Sequence, residues 1–424
     1  MEFSDVKYSQ YLQILREELL PAMGCTEPIA MAYAAARARQ TLGKMPDKID
    51  IVISGNIIKN VKSVVVPNTG GLKGIAAAVA AGAVVGDADR QLEVLSYVKP
   101  EEIPKIAEFM DKCQMTVIKS DSGKLLDIDL HMYSGTDSVR LRICDNHTNI
   151  VLIEKNGEVL FKKDPDDGES GETDRSVLNV RDILDFAQSV RLEDVSDMLG
   201  RQIEYNLAIS EEGLRGNYGA SIGKTLLETR GNDVRVRARA QAAAGSDARM
   251  SGCELPVVIV SGSGNQGMTA SLPVIVYALD MHASHEQLLR ALCVSNLITI
   301  HQKTPIGRLS AFCGAVSAGC GAAAGVAWLL EGTYEAVSAT ITNTLGMISG
   351  TVCDGAKPSC ATKIASAVEA GLLGFDLYEK GKALHGGDGI LKDDVEKTIE
   401  SVGQLAREGM RETDEEILDI MLDE

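Results

Sequence analysis

The sequence has few aromatic residues: they make up 4% of its 424 residues, and there is one tryptophan. A large core must therefore be filled mainly by alanine, glycine, leucine, isoleucine and valine, and such small side chains let helices approach one another closely. Hydrophobic residues make up 45% of the chain, which is enough for a sizeable core. The length suggests about two domains.

Basic blocks and membrane-length apolar runs are also missing. No run of five or more Lys and Arg occurs, and the net charge is −18, so we expect neither nucleic acid nor a membrane as partner. The N-terminus has no signal-peptide pattern, and the apolar run 75–85 is too short to span a bilayer. We expect a cytoplasmic protein that binds a small-molecule substrate. The same features are compatible with a homodimer. In that compartment the nine cysteines stay reduced.

The periodicity of the sequence changes near residue 175. Before it, alternating and β-branched runs predict strands and hairpins, the first over KIDIVISGNIIKNVKSVVV (48–66), with two helix-like segments between them. The charged stretch 162–176 predicts a boundary loop, and helical periods follow it. The sequence thus predicts an α+β fold: an α+β domain with a mostly antiparallel sheet at 1–175, then a large all-helical domain at 176–424. The first helix and the GCTEP segment (24–28) are expected to pack on the helical domain.

Three cysteines have a spacing that suggests a shared metal site, Cys-x39-Cys-x6-Cys, formed by Cys313, Cys353 and Cys360. The last two flank an Asp-Gly turn and a Lys-Pro pair, which predict a loop between helices. Thiolates suit an iron–sulfur cluster or zinc, and a set of three leaves one position open to a substrate. Among nine cysteines, three in a suggestive arrangement can also arise by chance. Five others are interpreted as packing thiols: Cys113, Cys144, Cys253, Cys293 and Cys320.

Cys25 lies where the chain breaks between two helix-like stretches. Gly24 permits a sharp turn, and Thr26 is predicted to be the N-cap of the next helix, with Glu27 and Pro28 in its first turn. The helix dipole and free N–H groups there are expected to lower the thiol pKa, which makes Cys25 a candidate base or nucleophile. The alternative interpretation is a small residue in a tight interhelical loop.

Candidate substrate contacts follow from the glycine-rich turns. The segment 258–274 lacks the phosphate-loop signature, but its backbone N–H groups beside Ser263, Gly264 and Asn265 would suit a small carboxylate at a helix start. The other candidates are polar or cationic residues of a second glycine turn or of the segment preceding Cys313: Asn68, Thr69, Lys73, Lys303 and Arg308. A flexible loop or a solvated helix end explains each of them equally well when it is considered singly.

Five segments taken together resemble the L-cysteine desulfidase family, a branch of the iron–sulfur serine dehydratase α-chain superfamily. The segments are GCTEP (24–28), PNTGGLKG (67–74), SGSGNQG (261–267), IGRLSAFCGA (306–315) and CDGAKPSCATK (353–363). They occur in the expected order over almost the whole chain.

The resemblance implies a 4Fe–4S cluster on Cys313, Cys353 and Cys360, in the helical domain, with no pyridoxal phosphate. It also implies β-elimination from L-cysteine to sulfide and an aminoacrylate that hydrolyses to pyruvate and ammonia. Cys25 matches the proposed base of the family, and the loop 262–267 would hold the substrate carboxylate.

Two alternatives stay open. The same site could act on L-serine or another β-substituted amino acid, because a hydroxyl and a thiol leaving group differ by one atom. Serine dehydratases of the superfamily have a cysteine at the extreme C-terminus, whereas this chain ends in ILDIMLDE, which favours the desulfidase branch. The other alternative is a non-catalytic protein whose three cysteines hold zinc or a cluster.

Overall fold

The computed structural model describes residues 1–2, 4–163, 173–307 and 309–422. Its N-terminal region combines helices and strands, as the sequence predicts. These elements are α1 (Val6–Glu18), β1 (Pro21–Met23), α2 (Thr26–Leu42), β2 (Lys48–Ile53), α3 (Gly55–Val61), α4 (Gly74–Val85), α5 (Ile103–Lys112), β3 (Gln114–Lys119), β4 (Asp127–Ser134), β5 (Asp137–Cys144), β6 (Ile150–Lys155) and β7 (Glu158–Lys162).

The C-terminal region is helical apart from one short strand among the residues described. Its elements are α6 (Val180–Ser189), α7 (Leu192–Arg215), α8 (Ile222–Arg230), α9 (Val234–Met250), β8 (Pro256–Val258), α10 (Gly264–Asp280), α11 (His285–Ile306), α12 (Gly314–Leu330), α13 (Tyr334–Ile348), α14 (Cys360–Glu379), α15 (Val395–Gln404) and α16 (Arg411–Leu422). The predicted α+β fold class is confirmed. The predicted boundary loop falls mostly on 164–172, outside the described residues, so the division into two domains stays a prediction.

Six strands form the main sheet in the order β3-β2-β4-β5-β6-β7. The β2–β3 pair is parallel, with Lys48 opposite Gln114, and the other pairs are antiparallel. Side chains of β2 alternate between partly and fully buried, so Ile49, Ile51 and Ile53 all point into the core. The sheet therefore buries one face, against which α2 packs.

The buried residues form two main cores, and the chain passes between them early. Tyr8, Ile14 and other residues of α1 pack with the helical region, whereas α2 packs with the main sheet. The GCTEP turn lies at this crossing. Gly24 has φ +67°, and a Cβ on it would lie 2.1 Å from Pro67 Cγ, so only glycine fits there. The break in the helix thus lets consecutive helices join different cores.

Close helix packing replaces aromatic bulk in both cores. A Cβ on Gly82 of α4 would lie 2.0 Å from the carbonyl oxygen of Ala32 in α2, and one on Gly319 of α12 would lie 2.7 Å from the Ala367 backbone in α14. These pairs approach so closely because small residues face each other. In the described part of the chain, every helix is too short or too polar to cross a membrane.

The prediction of strands and hairpins over 48–66 is partly wrong, because a helix interrupts this segment. Residues 48–53 form β2, but Gly55–Val61 form α3, which the sequence pattern did not indicate. The C-terminal helix α16 docks on α3: the carboxylate of Asp414 pairs with the ammonium of Lys59, and Leu418 contacts Gly55. The last helix of the chain thus returns to the α+β region.

Candidate functional site

A buried cavity of about 120 Å³ lies where the two cores meet. Four cysteines line it: Cys25 from the start of α2, Cys313 from the start of α12, and Cys353 and Cys360 from the loop before α14. These are the four of the nine cysteines that the sequence patterns indicate as candidate site residues. The other five are buried elsewhere in the protein, as packing thiols are expected to be.

Two of the predicted motifs follow the two strands of a short ribbon. Strands β1 and β8 are antiparallel, with Met23 opposite Pro256. GCTEP follows β1 directly and SGSGNQG follows β8 within three residues, and both motifs line the cavity. The hydroxyl of Thr26 donates a hydrogen bond to the carbonyl oxygen of Gly262 at 3.1 Å, which joins the two loops.

A single β-bridge brings the first two candidate ligands together. Phe312 and Val352 pair in antiparallel fashion. The backbone N–H of Cys313 donates to Thr351 O at 3.0 Å, and that of Cys353 donates to Ala311 O at 2.6 Å. These bonds fix the two cysteines on adjoining backbone segments although 39 residues separate them in sequence.

Ion pairs of one acidic residue stabilise the loop from Cys353 to Cys360. Asp354 forms ion pairs with Lys357 at 2.5 Å and with Lys363. Burial disfavours its ionised form, but the hydrogen bonds from these two lysines outweigh burial and lower the pKa of Asp354 to about 2. The ion pairs close the loop into a compact turn, so that Cys360 begins α14 at the cavity wall.

Four helices begin at the cavity. Cys25 is the N-cap of α2, Ser263 the N-cap of α10 and Cys313 the N-cap of α12, while α14 begins at Cys360. Each start places the positive end of a helix dipole at the cavity, although at α14 the N–H groups of Cys360 and Ala361 already donate to the preceding turn. The cavity is therefore suited to anions such as thiolates and a carboxylate.

Cys25 differs from the prediction in its position at the helix start and in the pKa of its thiol. The structure makes Cys25 the N-cap and Thr26 the first helical residue, so the predicted Thr26 cap is wrong by one position. Burial, with the adjacent Glu27 carboxylate, raises the pKa of the Cys25 thiol well above its usual value, and Arg249 only partly offsets this. The expectation of a lowered pKa is therefore wrong, because the side chain is 4% exposed. The thiol donates a hydrogen bond to Glu27 Oε2 at 3.2 Å.

Lys303 of α11 is a buried cation that lines the cavity. It is 4% exposed, and its ammonium has no hydrogen bond or ion pair among the described residues. Burial lowers the pKa of Lys303 to about 8, although nearby Cys353 and Cys313 oppose that shift. An unpaired buried charge is costly, and a bound anion would offset that cost.

The remaining predicted residues divide into two groups. Ser263 and Asn265 line the cavity, whereas Gly264 lies behind them, where a Cβ would clash with Arg249 Nε at 2.4 Å. The predicted contacts of the second glycine turn are not brought to the cavity: the Asn68 amide donates to Leu95 O, the Thr69 hydroxyl donates to Val66 O, and Lys73 is exposed as the N-cap of α4. Arg308 lies outside the described residues.

Several cavity residues were not predicted from sequence. Glu27 was interpreted only as a first-turn carboxylate, and Asn60 fell in a segment predicted as a strand. Arg249 of α9 donates to Gly24 O at 2.6 Å and to Asn265 Oδ1 at 3.2 Å, so it ties the GCTEP turn to the start of α10. His147, in the loop between β5 and β6, also lines the cavity. No local pattern marks Arg249 or His147, because only the tertiary fold brings them here.

The three candidate ligands line one cavity but do not form a single-ion site. In the described ranges, no three or more His, Cys, Asp or Glu side chains are arranged to bind one metal ion. Cys313 nevertheless interacts electrostatically with both Cys353 and Cys360, and burial together with Cys353 raises its thiol pKa to about 12. In a cluster each thiolate binds a different iron, so the sulfurs need not converge on one point. Three thiols beside an unpaired lysine and helix N-termini fit an anionic cluster of this kind.

Comparison with known proteins identifies similar sequences over the whole chain. Residues 89–419 match the family described as serine dehydratase alpha chain. A UPF0597 protein of Desulfitobacterium hafniense is 57% identical, over 100% of this chain and 99% of its own length. UPF0597 proteins of Lachnoclostridium phytofermentans and Treponema denticola are 52% and 50% identical, over 98% and 100% of this chain and all of their own lengths. The names of these relatives state no substrate.

Proposed function

The chain belongs to the serine dehydratase alpha chain family, and from that premise we propose that it is an iron–sulfur-dependent lyase acting on L-cysteine. The proposed reaction is β-elimination, which releases sulfide and an aminoacrylate that hydrolyses to pyruvate and ammonia. The observation that carries this proposal is the meeting of Cys25, Cys313, Cys353 and Cys360 in one buried cavity that also contains an unpaired lysine.

Cys313, Cys353 and Cys360 are the residues that would hold the 4Fe–4S cluster. When bound, the cluster supplies a Lewis-acidic iron that lacks a protein ligand. The protein contributes the surroundings: backbone hydrogen bonds fix Cys313 and Cys353, and ion pairs to Asp354 hold the loop that leads to Cys360.

The substrate carboxylate is proposed to bind near Lys303, Ser263 and Asn265. The Lys303 ammonium would gain the anionic partner that it lacks, and the start of α10 would add N–H groups beside the two polar side chains. Arg249 orients this loop through Asn265 without being fully paired itself, since its Nε has no partner in the described residues.

Cys25 Sγ is proposed to take the proton from the substrate Cα. It lines the same enclosed space as the carboxylate-binding residues, and its thiol is already held by a hydrogen bond. The electron pair of the Cα–H bond then forms the Cα–Cβ double bond as the substrate sulfur leaves.

L-serine is the second candidate substrate. The description of the matched family favours it, and elimination of water requires the same base and the same carboxylate site.

Parallel assays of the anaerobic protein, reconstituted with iron and sulfide, test these proposals. With L-cysteine we expect sulfide and pyruvate in equal amounts. Pyruvate from L-serine and none from L-cysteine would favour the second candidate. Absence of pyruvate from both amino acids, in protein that has taken up iron, would contradict lyase function and favour the non-catalytic alternative.

A further inference from the structure

Glu27 is the one carboxylate among the described residues that line the cavity, and its surroundings are unusual. It is 9% exposed, and it forms no ion pair in the part of the chain that the structure describes. A buried carboxylate without a cationic partner is costly, so its position requires an explanation beyond the stability of the fold.

Three neutral groups hold this carboxylate in place. The Cys25 thiol donates to Oε2 at 3.2 Å, and the Asn60 amide donates to Oε1 at 3.1 Å. The Thr26 hydroxyl shares its single proton between Oε2 and Gly262 O, each at 3.1 Å. Asn60 lies on α3 and binds the carboxylate oxygen that the thiol does not contact. The Glu27 carboxylate is thus fixed against Cys25 Sγ, and it has no ion pair to lose when it accepts a proton.

The thiol alone is a poor base in this position. Its proton already points to Glu27, and burial disfavours the free thiolate. If Cys25 is to accept a proton from a substrate carbon, its own proton must leave at the same time. The hydrogen bond to Oε2 is the path that the described contacts provide.

We propose that Glu27 and Cys25 act as one base, in which Glu27 receives the thiol proton as Cys25 Sγ receives the Cα proton. The inference rests on the proposed function. In the balanced step the Cα–H bond breaks and a new Sγ–H bond forms, while the original thiol proton forms an O–H bond on Glu27. The Cα–H electron pair becomes the Cα–Cβ double bond, and the Cβ–S bond breaks with its electron pair leaving on hydrosulfide. Glu27 then returns its proton to water. Glu27 is therefore a positioning residue that acts through Cys25.

The test compares Glu27→Gln, Glu27→Asp and the matched control Glu18→Gln in the reconstituted full-length protein. Glu18 is buried beside Arg175, which keeps its ion pair with Glu17 in the control. In Glu27→Gln we expect kcat to fall by about 100-fold or more while KM changes by less than about threefold. The isotope effect on Cα-deuterated substrate should rise, because proton removal becomes slower. Glu27→Asp keeps the acceptor at a longer distance and should recover part of kcat.

A second readout does not need turnover. Alkylation of Cys25 by iodoacetamide, measured by mass spectrometry in cluster-free protein, should be several-fold faster in Glu27→Gln than in wild type or Glu18→Gln. The reason is that the substitution removes the negative charge that disfavours the thiolate. A residue that only supports the fold would not slow turnover and speed alkylation together.

The outcomes separate the two proposals. No turnover in wild type contradicts the proposed function, and the alkylation rates then still show whether Glu27 controls the thiol. Unchanged alkylation in Glu27→Gln would overturn the paired base, as would wild-type kcat in that variant. A loss of kcat without a larger isotope effect would also overturn it, because that result indicates a structural role.

Discussion

Buried charges are handled differently in the α+β and helical regions. In the α+β region Lys59, Asp127 and Asp129 each pair with an opposite charge, and Glu27 at the cavity is the exception. In the helical region Asp247 and Lys303 have no ion pair among the described residues, although both are buried. A buried charge that has an opposite charge as partner changes the free energy of unfolding little. A buried charge without a partner lowers the free energy of unfolding. Of these two unpaired groups only Lys303 lines the cavity, and there a bound anion would offset its cost.

Cys25→Ser should have the largest effect on turnover. Cys25 lies on the α+β side of the cavity. We expect turnover to fall about 1,000-fold or more, since the proton acceptor is lost, while iron content stays at the wild-type level. Pyruvate formation and iron analysis measure the two effects. Cys253→Ser is the control, because that cysteine is buried in the helical core away from the cavity. Loss of iron in Cys25→Ser would show that Cys25 is a ligand and would contradict its assignment as base.

Lys303→Met should affect function and stability in opposite directions. KM for the amino acid should rise about 10- to 100-fold, because the carboxylate loses a charge-assisted hydrogen bond. The free energy of unfolding of the cluster-free protein should rise by about 1–3 kcal/mol, because an unpaired buried cation is removed. Steady-state kinetics and denaturant unfolding test both effects. An unchanged KM would mean that Lys303 does not bind substrate.

Asp414→Asn removes one partner of a buried ion pair and should only destabilise the protein. It leaves the Lys59 ammonium, whose side chain is 2% exposed, without its counter-charge where α16 meets α3. We expect the free energy of unfolding to fall by about 2–3 kcal/mol, less than for a fully buried pair because Asp414 is partly exposed. Asp419→Asn on the same helix is the exposed control. Equal free energies of unfolding of the two variants would refute the contrast between paired charges in the α+β region and unpaired charges in the helical region.

Asp247→Asn should stabilise the protein in a pH-dependent way. Burial raises the pKa of Asp247 to about 6, so the folded state binds its proton more tightly than the unfolded state. The free-energy cost of burying the ionised Asp247 carboxylate is therefore absent below the pKa that Asp247 has in the unfolded state. It is complete above the pKa that Asp247 has in the folded state. We expect a gain of about 2 kcal/mol near pH 8 and almost none near pH 4. Unfolding measured at both pH values checks the sign, and a gain that is larger in acid would contradict it.

Much of the arrangement could be predicted from local sequence, and the failures have physical causes. Strand alternation and helical periods indicated the α+β class, and the helix-break cysteine and the paired loop cysteines were all brought to one cavity. The pattern of β-branched residues in 54–66 hid α3, so Asn60 could not be placed near Glu27. The pKa of Cys25 was misjudged because burial depends on the whole fold. Arg249 reaches Gly24 across 225 residues, a contact that no spacing reveals.

The most direct test of the account is the iron content after anaerobic reconstitution of the single variants Cys313→Ser, Cys353→Ser and Cys360→Ser, with Cys320→Ser as control. Cys320 is fully buried in α12 and does not line the cavity. The account predicts about four irons per chain in wild type and in the control, and a clear loss in each of the three variants. Full iron content in all three variants would contradict the assignment of these cysteines as cluster ligands.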